Sequence, residues 1–186
     1  MEQKTKKIIL ISIAAVAGTL LLAALVFYVF FQSQFTVYQD TTHGFSVKYP
    51  KDWQKLVAPQ PGAAVVFISP KETALDVFLE NVNISIEPLP EGISNVQGLS
   101  EQIILQMTQV FGNMQITGKK AVTFGGRKGY AMVFAVEKPR AMRILNVLTV
   151  IGAKNAYVFT YMSMGNRYKT YLPLVTEMIR SFRFDK

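Results

Sequence analysis

The segment Gly44–Trp53, which reads GFSVKYPKDW, sets the architecture that the rest of the chain must complete. Apolar and polar side chains alternate from Phe45 to Tyr49, which predicts a strand with one buried and one solvated face. Pro50 has no backbone N–H for a sheet, so the strand ends there. The single tryptophan that follows is expected to pack its ring over the edge of the sheet.

Further strands are predicted on both sides of this segment. The loop Asp40–Gly44 joins the first two as a hairpin, with glycine where a left-handed residue is needed. Two later runs are apolar on both alternating faces, which is typical of central strands covered on each side. The predicted strands are Phe35–Tyr38, Phe45–Tyr49, Ala64–Ser69, Val82–Glu87, Gln115–Phe124, Tyr130–Glu137, Met142–Ile151, Ala156–Met164 and a short closing strand Phe182–Phe184.

Two segments change to helical spacing. Leu99–Met114 and Tyr168–Phe182 each place one apolar stripe on a helix. Ser100 is the expected N-cap of the first helix, and Gly112 with Asn113 its stop. The order of strands, helix, antiparallel strands and terminal helix predicts an α+β domain with an antiparallel sheet between helices.

The N-terminus predicts a membrane anchor. Ile8–Phe31 contains no charged residue, and as a helix it would be roughly 36 Å long, enough for a ~30 Å hydrocarbon core. Lys4, Lys6 and Lys7 favour a cytosolic N-terminus and an extracytoplasmic C-terminal domain. The alternative is a cleavable signal peptide, for which Ala15–Ala17 resembles the cleavage site.

This interpretation divides the chain into four parts. We expect a cytosolic basic tail at residues 1–7, a single-pass anchor in the cell membrane at 8–31, a polar collar at 32–35 and one domain at 36–186. The chain has no Cys, which excludes both a disulfide and a lipidated cysteine anchor. The domain must therefore be held by its core alone.

The net charge of +8 bears on the partners. A basic domain beside a bilayer favours an acidic membrane protein complex or an anionic lipid surface, whereas nucleic acid is not expected outside the cytosol. The candidate partner-binding residues are the cations Lys119, Lys120, Arg127, Lys128, Arg140 and Arg143.

Signals for catalysis and metal binding are sparse. His43 is the single histidine, and Asp40 is the one carboxylate close to it in sequence. These two are weak metal candidates, because a hairpin loop collects such residues for reasons of turn geometry. No nucleophile motif and no second histidine occur, so we expect neither an enzyme nor a cofactor. The alternative is a catalytic Ser–Lys or carboxylate pair whose two residues are distant in sequence and are brought together by the fold.

The quoted segment also carries a family resemblance. The family likeness is to PsbP and covers roughly residues 36–185. It is carried by Tyr38–Trp53, Phe67–Pro70, the Gly-rich hairpin loop Gly125–Gly129, Ala156–Tyr161 and Met178–Phe182, which together resemble that family. That family includes the extrinsic subunit of the photosystem II oxygen-evolving complex and many bacterial relatives. The resemblance implies an α/β/α sandwich with a central antiparallel sheet.

It also implies a non-enzymatic role in docking on membrane complexes. Some members support retention of calcium and chloride at the manganese cluster, and others act in assembly. This chain has a transmembrane helix where cyanobacterial members carry a lipidated cysteine. No metal-binding set of the family can be matched to it residue by residue.

Three functions follow as hypotheses. The first is a membrane-anchored interaction or assembly domain that docks on a membrane protein complex. The second is a carrier or sensor of an apolar ligand held between sheet and helix by methionine and aromatic side chains. The third is a hydrolase with a nonlocal Ser–Lys or carboxylate pair.

Overall fold

The computed structural model describes residues 2–59, 62–137, 141–151 and 154–185. The chain divides into two units, one up to Thr36 and one from Val37 onward. The candidate cation Arg140 lies outside the described residues, and so do residues 152–153 between the predicted strands Met142–Ile151 and Ala156–Met164.

The N-terminal unit is a single long helix, α1 (Glu2–Ser33). Within the described residues, Ser12–Ser33 is the helical segment long and apolar enough to cross a membrane, with a mean hydropathy of 2.5. The helix continues into the predicted tail and collar, because charge marks the edge of the apolar run and does not by itself stop a helix. Large apolar side chains such as Leu21 and Phe27 are 72% and 69% exposed.

The second unit contains two helices and ten strands in its described residues. The helices are α2 (Val96–Phe111) and α3 (Tyr168–Ser181). The strands are β1 (Phe35–Asp40, which begins in the first unit), β2 (Phe45–Pro50), β3 (Gln54–Val57), β4 (Ala63–Ile68), β5 (Asn81–Pro88), β6 (Met114–Phe124), β7 (Arg127–Val136), β8 (Met142–Ile151), β9 (Asn155–Met164) and β10 (Arg183–Phe184).

The strands of the described chain form two sheets. Seven strands pair in the order β3-β4-β5-β9-β8-β7-β6, and β1-β2-β10 form a small separate sheet. Every neighbouring pair in the large sheet is antiparallel. The prediction that β8 and β9 are interior strands is confirmed. The prediction missed β3, whose four residues are mostly exposed and carry no alternating apolar pattern.

The helices lie on opposite faces of the large sheet. On what we call the α2 face, Leu99 and Ile103 of α2 pack with Met132, Phe134 and Ile144. On the α3 face, α3 and the small sheet bury a set of aromatic side chains, among them Phe45, Phe67, Phe124, Phe159 and Phe182. The predicted α/β/α sandwich with a central antiparallel sheet is therefore confirmed.

The start of α2 corrects one prediction. The N-cap is Asn95, whose Oδ1 accepts a hydrogen bond of 2.9 Å from the Gly98 N–H. Ser100 lies inside the helix, fully buried, and its hydroxyl donates to the Gln97 carbonyl at 2.7 Å. An asparagine cap satisfies an N-terminal donor as well as serine does, so the helix begins one turn earlier. The stop at Gly112 is confirmed by its φ of 61° and its N–H donating to Thr108.

One further prediction needs correction near the sheet. β7 begins at Arg127 rather than Tyr130, so the Gly-rich loop is a two-residue turn, Gly125-Gly126, with φ of 56° and 78°. A Cβ on Gly125 would lie 2.5 Å from the Phe184 ring, so glycine is required there for space as well as conformation. Trp53 directly precedes the edge strand β3, and its ring packs edge-on against Tyr171 of α3, with centroids 5.9 Å apart.

Candidate functional site

An open groove of about 470 Å3 lies on the α3 face, between α3 and strands β6, β7 and β8. It exists because one helix of ~10 Å diameter cannot cover a seven-stranded sheet whose strands are ~4.8 Å apart. The buried stripe of α3, Val175 and Met178, sits toward β2 and β9, which leaves β6–β8 partly uncovered. The lining includes Lys120, Val122, Val133, Leu145, Leu172 and Ile179. This "α3 groove" is predominantly aliphatic.

Lys119 and Lys120 border this groove, and Arg143 lies on the same face of the sheet without lining it. Lys120 pairs in register with Ala131, which pairs with Val147, so all three side chains share the α3 face. Arg143 is two residues from Leu145 on β8 and therefore points to the same face. Burial raises the pKa of the Tyr168 hydroxyl, which also lines the groove, while the charge of Arg143 acts in the opposite direction.

The remaining described cations extend beyond the α3 face. Lys119 borders the groove, but its Nζ lies 5.5 Å from the centre of the Tyr130 ring, on the α2 face. Lys128 precedes Tyr130 by two residues on β7 and shares that face. Arg127 covers the Phe184 ring at 5.3 Å, beside the β6–β7 turn. The predicted set is thus divided between both faces of the sheet, and its role in binding a partner stays a prediction.

Strand β6 forms one border of the groove and one edge of the sheet. In the described part of the chain it is paired on one side alone, with β7. A register shift between Ile116 and Gly118 interrupts the ladder, and two lysines follow directly. Bulges and lysines are the usual protection of an edge strand against uncontrolled pairing. This protection favours the groove, rather than the bare strand edge, as the binding feature.

A polar network holds the start of α3 beside the groove. Arg167 forms an ion pair with Glu72, and the Tyr171 hydroxyl donates to Glu72 at 2.6 Å. The Tyr161 hydroxyl donates to the Tyr168 carbonyl at 3.2 Å, and the two rings stack at 5.4 Å. These contacts fix the position of the Tyr168 ring at the end of the groove.

The structure brings the two weak metal candidates together. His43 Nδ1 is 2.9 Å from Asp40 Oδ2, and Asp40 Oδ1 accepts from the backbone N–H groups of Thr42 and His43. Burial would raise the pKa of Asp40, but the side-chain and backbone hydrogen bonds of His43 outweigh it and lower the pKa below its usual value. Within the described residues no group of three or more metal-ligating side chains forms. The arrangement is that of a turn stabilised by a carboxylate.

Reasoning from the sequence missed the groove, because its walls come from four separate segments. It also missed Asn146, which is 3% exposed in the middle of β8. A single amide inside an otherwise apolar run, Ile144–Leu148, was the available signal. The predicted methionine and aromatic lining is wrong for the α3 groove, where Tyr168 is the aromatic contributor among the described residues.

Comparison with known structures shows what the fold is similar to. Cyanobacterial PsbP (CyanoP) from Synechocystis sp. PCC 6803 superposes with a TM-score of 0.62 at 17% identity, covering 81% of this chain and 92% of that chain. LpqN of Mycobacterium tuberculosis, described as involved in cell envelope biogenesis, superposes with 0.60 at 14% identity, covering 82% and 91%. The Saccharomyces cerevisiae Ran-binding protein Mog1p gives 0.58 at 8% identity, covering 81% and 95%.

At these identities the structural likeness establishes the fold alone. No curated protein matches the sequence. The PsbP family model matches residues 33–184, which includes both sheets, α2 and α3. The resemblance inferred from Tyr38–Trp53 and the later motifs is thereby confirmed, and the chain belongs to the PsbP family.

Proposed function

We propose that this protein is a membrane-anchored, non-enzymatic interaction domain that docks on a membrane protein complex outside the cytosol. The observation that carries the proposal is the α3 groove, an open aliphatic surface with Lys120 and Arg143 on the same face, in a chain with a helix able to cross a membrane. Such a surface fits a partner segment that presents apolar side chains flanked by carboxylates.

The N-terminal sequence supports a location of the domain outside the cytosol. The apolar helix Ser12–Ser33 follows a tail that contains Lys4, Lys6 and Lys7. By the positive-inside rule, this arrangement supports a cytosolic tail and a PsbP-family domain on the other side of the membrane. The description of LpqN as involved in cell envelope biogenesis supports this location, and the description of Mog1p as a Ran-binding protein supports an interaction role.

Among the described residues, two of the buried serines that could act as a concealed nucleophile have other partners, whereas the buried Ser69 hydroxyl has none. Ser100 bonds to a helix carbonyl, and Ser163 is within 3.3 Å of the buried Glu80. His43 is engaged with Asp40. These contacts support a non-enzymatic role over the Ser–Lys hydrolase hypothesis.

Charge reversal at two lysines tests the docking proposal. Lys120→Glu changes the α3 groove, whereas Lys128→Glu changes the net charge equally at an exposed position of β7 that does not line the groove. We expect recovery of the partner complex from detergent-solubilised native membranes to fall about tenfold for Lys120→Glu, equivalent to ~1.4 kcal/mol, and to change little for Lys128→Glu. An equal effect of both substitutions, or of neither, would contradict docking at the groove.

The groove also supports a second candidate, a carrier or sensor of an apolar ligand. Its volume of about 470 Å3 falls within the range of small-molecule sites, and it lies between sheet and helix as that hypothesis required. Native mass spectrometry of the chain purified from its own membranes tests this candidate. A bound molecule lost in Val122→Trp, which fills the groove, supports it; an empty protein in both forms counts against it.

A further inference from the structure

The loop between β4 and β5 presents two large apolar side chains to solvent. This β4–β5 loop consists of residues 70–79, and the Ser69 N–H donates to the Glu80 carbonyl at 2.8 Å, which holds its two ends together. Leu75 is 87% exposed and Val77 79%, more than any other large apolar side chain in the described part of the chain. Two neighbouring apolar side chains exposed to this degree indicate an interaction site.

The other side chains of the β4–β5 loop hold it against the second unit. Glu72 forms an ion pair with Arg167 and accepts a hydrogen bond from the Tyr171 hydroxyl. Asp76 accepts from the backbone N–H groups of Glu72 and Phe78, both at 3.4 Å. The Phe78 side chain packs against the core of the α2 face. The loop therefore presents its apolar tip from a fixed base.

The β4–β5 loop leaves the sheet at the end where the chain enters the second unit. β1 and β2 are neighbours joined by residues 41–44, a connection that fits only an antiparallel pair, so the start of β1 lies beside the end of β2. At that end Tyr49 stacks on Phe67, with ring centroids 4.5 Å apart. Phe67 is two residues before Ser69, after which the loop begins.

This end of the second unit is also the one that the chain tethers to a membrane. The helical segment able to cross a membrane ends at Ser33, and the second unit begins at Val37. An extended connection of this length spans at most ~14 Å. A bilayer that holds the anchor is therefore within reach of the end from which the β4–β5 loop projects.

We propose that the tip of the β4–β5 loop inserts into the interface of the bilayer that holds the anchor. Leu75 and Val77 reach the boundary between headgroups and acyl chains, and the exposed Lys71 lies among the headgroups, where anionic lipid attracts it. The Asp76 carboxylate keeps the insertion shallow, because a charge is excluded from hydrocarbon. Two apolar side chains suffice, since the anchor makes the insertion intramolecular.

A fluorophore at the tip tests this proposal, and the chain has no cysteine of its own to interfere with labelling. Leu75→Cys and Glu91→Cys in the full-length chain each receive nitrobenzoxadiazole and are reconstituted into nanodiscs of phosphatidylcholine and phosphatidylglycerol. Glu91 is the control, because it is exposed and follows Pro88, which is seven residues of β5, about 23 Å, from the loop end of that strand.

We expect the emission at position 75 to shift to shorter wavelength. Nitroxide lipids labelled near the top of the acyl chain should quench it about twofold or more above the value at position 91. Adding Val77→Asp to the labelled Leu75→Cys chain should return the fluorophore to water. Quenching that persists in this double variant comes from the fluorophore itself and overturns the proposal.

The lipid-only sample separates this proposal from docking on a protein. A fluorophore at 75 that stays in water in nanodiscs but is shielded in native membranes indicates a protein occupant and overturns insertion, while docking through the α3 groove is unaffected. The proposal rests on the proposed anchor. A chain that does not incorporate into nanodiscs overturns both, whereas an incorporated chain with equal emission at 75 and 91 overturns the insertion alone.

Discussion

Phe182 stacks on Phe124, with ring centroids 4.4 Å apart and planes inclined by 28°. Phe182 also stacks on Phe45 at 5.1 Å, so one ring at the end of α3 joins the large sheet to the small one. All three side chains are at most 1% exposed. The packing of the α3 face therefore depends on the contacts of the Phe182 ring.

Removal of this ring is predicted to destabilise the domain strongly. Phe182→Ala should lower the free energy of unfolding by about 3–5 kcal/mol, since it removes a buried ring and leaves a cavity between two sheets. Leu105→Ala, at an exposed position of α2, is the control and should change it by less than about 1 kcal/mol. Urea unfolding of the full-length chain in micelles, followed by near-UV circular dichroism, measures both. Similar midpoints for the two variants would refute this view of the core.

The cap of α2 gives a second prediction. Asn95→Ala should cost about 1 kcal/mol because the Gly98 N–H loses its acceptor. Ser100→Ala should cost less, since its hydroxyl bonds to a carbonyl, that of Gln97, inside the helix. The same unfolding measurement compares the two. A larger loss for Ser100→Ala would restore serine as the cap.

The difference between these two residues shows which features of α2 can be predicted from the sequence. The apolar stripe of α2 and its glycine stop were predictable, because both are local. The N-cap was not, because Asn95 and Ser100 are equally suitable caps and the contact of Leu99 with the sheet decides between them. Strand β3 forms by pairing with β4, as in the pair Leu56↔Val66, and its own sequence has no pattern that predicts a strand.

The candidate site was less predictable than the fold. The prediction placed Lys119 and Lys120 in one set, and both border the α3 groove, but neighbours on a strand point their side chains to opposite faces, so the Lys119 Nζ lies against Tyr130 on the α2 face. The α3 groove depends on where α3 lies across the strands, which is set by the packing of Val175 and Met178. The family resemblance of Tyr38–Trp53 indicated the PsbP family and its α/β/α layers, but it did not indicate where α3 lies across the strands.

Acid sensitivity gives a third prediction, at the β1–β2 turn. The folded-state pKa of Asp40 is lowered, so its contribution to stability is present above the ordinary carboxyl pKa of about 4 and is lost as the pH falls through the folded-state value. Asp40→Asn should therefore reduce stability by about 1 kcal/mol at neutral pH and flatten the loss of stability below about pH 4.

Chemical denaturation at a series of pH values measures this effect. Asp52→Asn serves as the control, because Asp52 is exposed. Identical pH profiles for wild type and Asp40→Asn would show that the turn does not depend on the carboxylate.

Topology gives a fourth prediction, for which the absence of cysteine is an advantage. A single cysteine introduced by Glu91→Cys, at an exposed turn position, should react with a membrane-impermeant maleimide on intact cells. Lys4→Cys should react only after the membrane is permeabilised. The reverse pattern would place the domain in the cytosol, and loss of the Lys4→Cys label from the mature protein would indicate a cleaved signal peptide.

Site-specific photocrosslinking in native membranes tests the docking proposal most directly. Val122 lines the α3 groove, and its neighbour Thr123 points to the opposite face of β6. A photoreactive amino acid at position 122 should capture one reproducible membrane protein, and the same group at position 123 should not. The added mutation Lys120→Glu should abolish the product at 122. Equal products from both positions, or recovery of the uncrosslinked chain alone, would contradict docking through the α3 groove.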